Sequence, residues 1–194
     1  MLFGRRNKQN IFQKLRSWLW PRSGFKRAVL YLWHRIIRLP GSDYSIAAGF
    51  ASGAAVSVTP FIGLHFLMGF ALAWLVRANL LASAIGTIVG NPWTFPLIFA
   101  LTARLGRWIL GHDVIHVLPS WSWSGFLHAP SEYIMAFVPI IWPMLVGSIP
   151  LAIVIWIGFY IALRIMVSAN RARKQARIRA RQRQQLLKNE DILE

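Results

Sequence analysis

The 194-residue chain contains no cysteine, so disulfides, thiolate metal sites, cysteine nucleophiles and cysteine lipidation are all excluded. Acidic residues are nearly as scarce, six against 22 Lys and Arg, which leaves a formal charge of +16. Charged residues of either sign make up only 14% of the chain, well below the roughly 25% of soluble domains. Apolar types supply 56%. A chain so basic and so apolar must segregate the two kinds of residue, which argues against a soluble enzyme and against a nucleic-acid-binding domain throughout.

Basic residues crowd between Arg5 and Arg38 and between Arg164 and Lys188, with only Arg77, Arg104 and Arg107 between the clusters. Three blocks carry no charge, residues 44–76, 78–103 and 133–163. Each exceeds the roughly 20 residues needed to cross a hydrocarbon core of about 30 Å. The expected organisation is a basic interfacial segment (1–41), a membrane domain (42–165) and a cationic tail (166–194). The first residues lack the apolar core and cleavage site of a signal peptide, so the N-terminus is expected to be retained.

Ile11, Leu15, Trp18 and Leu19 follow helical spacing, as do Phe25, Val29, Leu32, Trp33 and Ile36, with Trp20 to Gly24 between the two sets. Lys26, Arg27, His34, Arg35 and Arg38 occupy the opposite arc of the second set. Basic amphipathic helices of this kind suit an anionic lipid surface; packing on the protein's own core is the alternative. Leu39-Pro40-Gly41 then breaks the chain, and Ser42 or Asp43 can cap the next helix.

The block 44–76 opens on small residues, among which Gly49 and Gly53 form a G-x-x-x-G pair that lets another helix approach closely. Thr59-Pro60 interrupts the hydrogen-bond ladder and Gly63 loosens it again. Either one kinked helix or two half-helices meeting at Pro60 satisfies this pattern. The block 78–103 is built alike. Ala78 to Gly90 makes only about 20 Å of helix, too short to cross, and Gly90-Asn91-Pro92-Trp93-Thr94-Phe95-Pro96 then breaks it. Backbone groups freed there need partners that lipid cannot offer, and Asn91 and Thr94 can supply them. A re-entrant helix-loop-helix is therefore expected over 78–103.

Gly49-x-x-x-Gly53, Pro60-x-x-Gly63-x-His65, Arg77-x-Asn79, Gly86-Thr87 and Asn91-Pro92-x-Thr94, in this order and spacing, resemble the bacterial membrane family catalogued as domain of unknown function 2062. The resemblance covers about residues 42–165. It implies a small bacterial inner-membrane protein with no assigned biochemical role. Association of some relatives with glycosyltransferase domains points toward envelope polysaccharide or lipid-linked sugar work, and toward a membrane or glycosyltransferase-pathway protein as partner.

Between Arg104 and Glu132, Trp108, Trp121, Trp123 and Phe126 belong at headgroup level. His112 and His116 would share a helix face, with Asp113 and His128 near, but interfacial histidines without a metal are the ordinary case. No metal and no cofactor is expected. In the third block Val146 to Leu163 is an adequate span despite Pro139, Pro143 and Pro150. Beyond it Arg171, Arg173, Lys174, Arg177, Arg179, Arg181 and Arg183 surround a helix, a pattern suited to a tail projecting into the cytoplasm.

The positive-inside rule puts both basic termini in the cytoplasm, which demands an even number of crossings. One arrangement crosses with 44–76, re-enters with 78–103 and returns with 133–163; another makes all three blocks hairpins entered from the cytoplasm. The fold class is thus an all-α integral, multi-pass inner-membrane protein with Pro/Gly-broken and re-entrant helices, basic amphipathic N-terminal helices and a cationic C-terminal helix. The charge-free blocks hold no paired carboxylates, G-x-S-x-G or phosphate loop, so no enzyme is expected. Two functions remain open. Arg77, Asn79, Asn91 and Thr94 are candidates to bind or move an anionic lipid or lipid-linked phosphate in envelope biogenesis, on a frame set by Gly49, Gly53, Pro60, Gly63 and Pro92. Alternatively the chain is a membrane anchor or assembly factor recruiting a partner through its basic tail. Nucleic acid is the weaker partner, since no aromatic platform accompanies the charge.

Overall fold

The computed structural model describes residues 25–111, 123–128 and 130–193. The described residues are helical, with turns and no strand: α1 (Phe25–Ile36), α2 (Asp43–Val56), α3 (His65–Leu75), α4 (Leu80–Gly86) followed by a 3-10 turn (Thr87–Val89), α5 (Phe95–Leu110), α6 (Trp123–His128) and α7 (Pro130–Leu193). Of the two surface helices expected near the N-terminus, the second is α1; the first lies outside the described residues. Among the described residues α7 contains the one helix, Pro130–Leu186, that is long and apolar enough to cross a membrane. It runs through Pro139, Pro143 and Pro150 without ending.

In the unit from Leu39 onward, α2 is the centre. Ser42 caps it, its hydroxyl accepting from the Ser45 N–H at 3.1 Å. Ten of its 14 residues are buried. A helix apolar all round needs neighbours all round, and α2 has three. α3 returns antiparallel to it, Gly69 lying by Val56 near one end and the Tyr44 hydroxyl donating to the Val76 carbonyl (2.8 Å) at the other. α4 then runs parallel to α2, in register from Gly49 against Asn79 to Gly53 against Ser83. α7 passes antiparallel on the remaining face, where Trp156 Nε1 donates to Ser52 Oγ (3.2 Å), Phe50 meets Phe159 and Asp43 meets Arg171.

The α2–α4 contact is backbone on backbone. A Cβ at Gly49 would fall on the Asn79 carbonyl oxygen, one at Gly53 on that of Ser83, and one at Gly86 on that of Phe50. A second such crossing joins α5 to α7, where Gly106 faces the Pro143 carbonyl and Gly147 that of Thr102. The order of pairs fixes direction: moving along α7, Gly106 is met first, then Thr102, then Ser52, then Asp43. Both α2 and α5 therefore run opposite to α7, and α4 runs with α2.

This geometry corrects the re-entrant assignment. Residues 78–103 do not fold back; α4 and α5 proceed in the same sense along α7, with the Asn91-Pro92 break between them. The folding back occurs in 44–76, which is two half-helices joined by residues 57–64, not one kinked helix. Both segments before their breaks are short, as expected. Direction after each break is set by packing: α3 has α2 and α4 to cover it, whereas α5 finds the small-residue seam of α7.

Gly53→Ala should cost about 1–3 kcal/mol by forcing α2 and α4 apart. Gly158→Ala, where nothing lies within 4 Å of the added methyl, should be neutral or stabilising by up to about 1 kcal/mol. Thermal unfolding of both variants under identical conditions checks the pair.

Candidate functional site

The four polar candidates do not converge. Arg77 and Asn79 precede α4, while Asn91 and Thr94 lie past its 3-10 turn, roughly 15 Å of helix away. Three of the four are occupied by the backbone. Asn79 Oδ1 accepts from the Ala82 N–H (2.9 Å), capping α4, and its Nδ2 donates to the Pro40 carbonyl (2.8 Å). Asn91 Oδ1 accepts from the N–H groups of Trp93 and Thr94 (2.9 and 3.1 Å). The Thr94 hydroxyl accepts from the Asn91 N–H (2.9 Å) and lies 2.7 Å from the Val89 carbonyl, to which it donates.

The frame residues sit where the chain breaks. Pro60 and Gly63 lie in the turn between α2 and α3, Gly63 at φ +90°, and Pro92 lies in the turn between α4 and α5. The two turns are alike, with α3 starting at His65 and α5 at Phe95, and they meet. The Ser57 hydroxyl reaches the Thr87 carbonyl (3.2 Å), and the His65 and Phe95 rings approach edge to face with centroids 6.3 Å apart. His65 Nδ1 accepts from the Gly63 N–H (3.1 Å), so the neutral ring carries its proton on Nε2.

Arg77 is different. It is the one non-glycine residue with positive φ (52°) among the described residues, in the tight connection from α3 to α4. Its own N–H reaches the Trp74 carbonyl (3.0 Å) and that of Ala78 the Ala73 carbonyl (2.7 Å), so the helix ends in a left-handed cap. Glycine fills such a position at lower cost, by about 1–2 kcal/mol. The guanidinium is exposed and has no hydrogen-bond or ion-pair partner among the described residues.

Around the same end stands a cluster that sequence reasoning passed over. Tyr44, which holds the Val76 carbonyl, meets the Tyr160 ring edge on at 6.0 Å. Tyr160 stacks on Trp156 (5.0 Å) and accepts from Arg164 Nη1 (2.6 Å). Arg171 grips Asp43 at 2.7 Å and the Gly41 carbonyl at 2.8 Å. The signal was present: Trp156, Tyr160 and Arg164 recur every fourth residue and so share one face of α7.

The family described as an uncharacterized protein conserved in bacteria (DUF2062) matches residues 26–176. The chain belongs to this family. No curated protein and no solved structure matches it. The matched DUF2062 region takes in α1, both breaks, the α3–α4 connection and α7 through Arg171, so the whole arrangement above lies inside it. Among the described residues no three His, Asp or Glu side chains come together as a metal site; His112, Asp113 and His116 lie outside the described residues, as does Trp121.

Asn79→Ala should cost about 1 kcal/mol through loss of the α4 cap. Asn79→Asp keeps an acceptor there and should lose less. Chemical denaturation followed by Trp fluorescence checks the order.

Proposed function

We propose that this DUF2062 protein is an integral protein of the bacterial inner membrane, with both termini cytoplasmic, that binds an anionic lipid or lipid-linked phosphate at its cytoplasmic edge without catalysing a reaction on it. The observation that carries this reading is Arg77. A bulky cation is kept in a backbone conformation that favours glycine, with its head unpaired among the described residues. Strain of this kind is retained where a side chain is needed.

Its surroundings support the same chemistry. Arg164 and the Tyr44 and Tyr160 rings lie at the same end of the helices as Arg77, a mixture of cations and amphipathic rings suited to headgroup depth. An Arg guanidinium grips a phosphate through two parallel hydrogen bonds, which an ammonium cannot copy. The polar role given to Asn79, Asn91 and Thr94 is narrowed accordingly: they hold the frame, and Arg77 meets the ligand. Envelope biogenesis remains the setting that this substrate class suits.

One observation favours the anchor reading. α7 continues as a single helix from its apolar stretch into the cationic tail, whose described Arg and Lys from 173 to 183 are exposed. Such a rigid extension could hold an acidic partner. A truncation that tests it must begin at Arg173, so that Arg171 still clasps Asp43.

Arg77→Lys and Arg77→Gly should each weaken binding of phosphatidylglycerol, titrated onto the delipidated protein, about tenfold or more (about 1.4 kcal/mol per tenfold). Arg77→Gly should at the same time unfold later than the parent, because the strain is relieved. Unchanged binding by both variants, beside loss of the cellular phenotype on truncation from Arg173, would leave the anchor.

A further inference from the structure

We infer that the protein crosses the bilayer twice, with α4–α5 as a broken outward span and α7 as the return, while α2–α3 is a half-depth hairpin entered from the cytoplasmic side, so that both breaks meet near the bilayer midplane. This rests on the membrane reading above and specifies how the membrane is met.

The first argument is length. Gly106, next to Arg107 and Trp108, lies against Pro143, and Arg164 is the first charged residue that follows along α7. About 31 Å of helix separates Pro143 from Arg164, which matches a hydrocarbon core of about 30 Å. The ends of that slab carry the expected markers. Arg107 and the exposed Trp108 stand at the α5 end; Arg164, Tyr160 and Tyr44 stand at the other, where the cationic part of α7 leaves toward an anionic cytoplasmic leaflet. Between the two ends the outer surface is apolar, with Leu67, Trp74, Leu101, Ile153 and Val154 among the exposed side chains.

The second argument is depth. Ser52 lies level with Trp156 and Thr102 with Gly147, so the breaks, which follow Ser52 and precede Thr102, fall beside residues 147–156 of α7. That is midway between Pro143 and Arg164. α2, with 14 residues, reaches about 21 Å and cannot cross alone. Its hairpin closes back on its own start, through the Tyr44 hydroxyl on the Val76 carbonyl and the Asn79 N–H on the Ser45 carbonyl (2.9 Å). α4 with its 3-10 turn, the break, and α5 as far as Gly106 together cover the whole slab.

The third argument is hydrogen bonding. Broken backbone at midplane has no lipid partner and must be satisfied locally. The polar side chains at these breaks are turned onto their own backbone. Ser57 donates to the Gly53 carbonyl (2.8 Å) as well as reaching that of Thr87, and Thr59 donates to the Val56 carbonyl (2.7 Å). Thr87 donates to the Ala84 carbonyl (2.7 Å), His65 takes the Gly63 N–H, and Asn91 and Thr94 serve the second break. On a solvated loop, water would do this work. Apart from Arg104, which stands less than one turn inside the α5 end, His65 is then the single His, Lys, Arg, Asp or Glu among the described residues within the slab, and its Nδ1 is taken up by the Gly63 N–H.

The absence of native cysteine makes the test direct. Single-cysteine variants Ile62→Cys, Ala78→Cys and Gly111→Cys are expressed in intact cells and in inverted membrane vesicles, then treated with a membrane-impermeant maleimide. Ala78→Cys should label only in inverted vesicles and Gly111→Cys only in intact cells. Ile62→Cys should resist the reagent from both sides by at least tenfold and label fully after denaturation; a fluorophore placed there should be quenched best by lipids brominated near the chain ends. Labelling of Ile62→Cys from the periplasm would make α2–α3 a crossing, and labelling of Ala78→Cys and Gly111→Cys from one side would make α4–α5 a hairpin; either overturns the inference while leaving a membrane protein. Release of the protein by alkaline carbonate would instead remove the membrane reading itself.

Discussion

Two helices can touch backbone to backbone only where a residue on one of them has no side chain to strike the other's carbonyl, and the unit from Leu39 onward depends on two such contacts. At the first, Gly49 and Gly53 on α2 receive the Asn79 and Ser83 carbonyls while Gly86 on α4 receives that of Phe50. At the second, Gly106 and Gly147 do the same for α5 and α7. In the lipid setting proposed above, apolar surface would gain nothing by leaving one apolar medium for another, and association would rest on van der Waals fit and hydrogen bonds. Close approach supplies both. It also accounts for how a helix as short as α4, seven residues, is held at all: its backbone lies in the groove that α2 opens for it.

What each contact costs is a break elsewhere. α2 is rich in Gly, Ala and Ser because of its neighbours, and such a helix has little bulky surface of its own. The bulk returns after the turn, on α3, whose Phe66, Leu67, Phe70 and Trp74 are exposed. Small residues before the break and large ones after it divide the work between a helix that packs and one that faces outward. The same division holds from α4 to α5, which is why the two breaks resemble each other while the helices after them go different ways.

Much of this is legible in the sequence, and the limit of legibility is physical. G-x-x-x-G announces the α2 seam, and Pro60, Gly63 and Pro92 announce the breaks, because backbone geometry at those residues is local. The shortness of the segment before Asn91 is equally plain from its residue count. The step from short to re-entrant does not hold, because direction after a break is not local. Whether the chain turns back depends on which distant surface receives the next helix. For α5 that surface is Thr102 and Gly106 against Pro143 and Gly147, two small-residue pairs far apart in sequence and weak when taken singly. The part played by Asn79, Asn91 and Thr94 is half visible: their use as backbone partners follows from their position, and that use leaves little of them for a ligand.

Arg77 shows the opposite relation between backbone and side chain. Asn79 and Asn91 sit where their side chains lower the energy of the backbone, so the frame alone explains them. At Arg77 the backbone would do better with glycine, and the side chain forms no bond among the described residues in return. Snorkelling of a long cation to the interface accounts for an Arg near a helix end, and it accounts equally for a Lys, or for an Arg one position earlier where φ is negative. It does not account for a cation in the left-handed position itself. From that position the guanidinium leaves the chain between the end of α3 and the start of α4, at the end where Tyr44 and Tyr160 meet. A phosphate arriving there would find a charge that no carboxylate described in the fold has neutralised, since the nearby Asp43 is already held by Arg171.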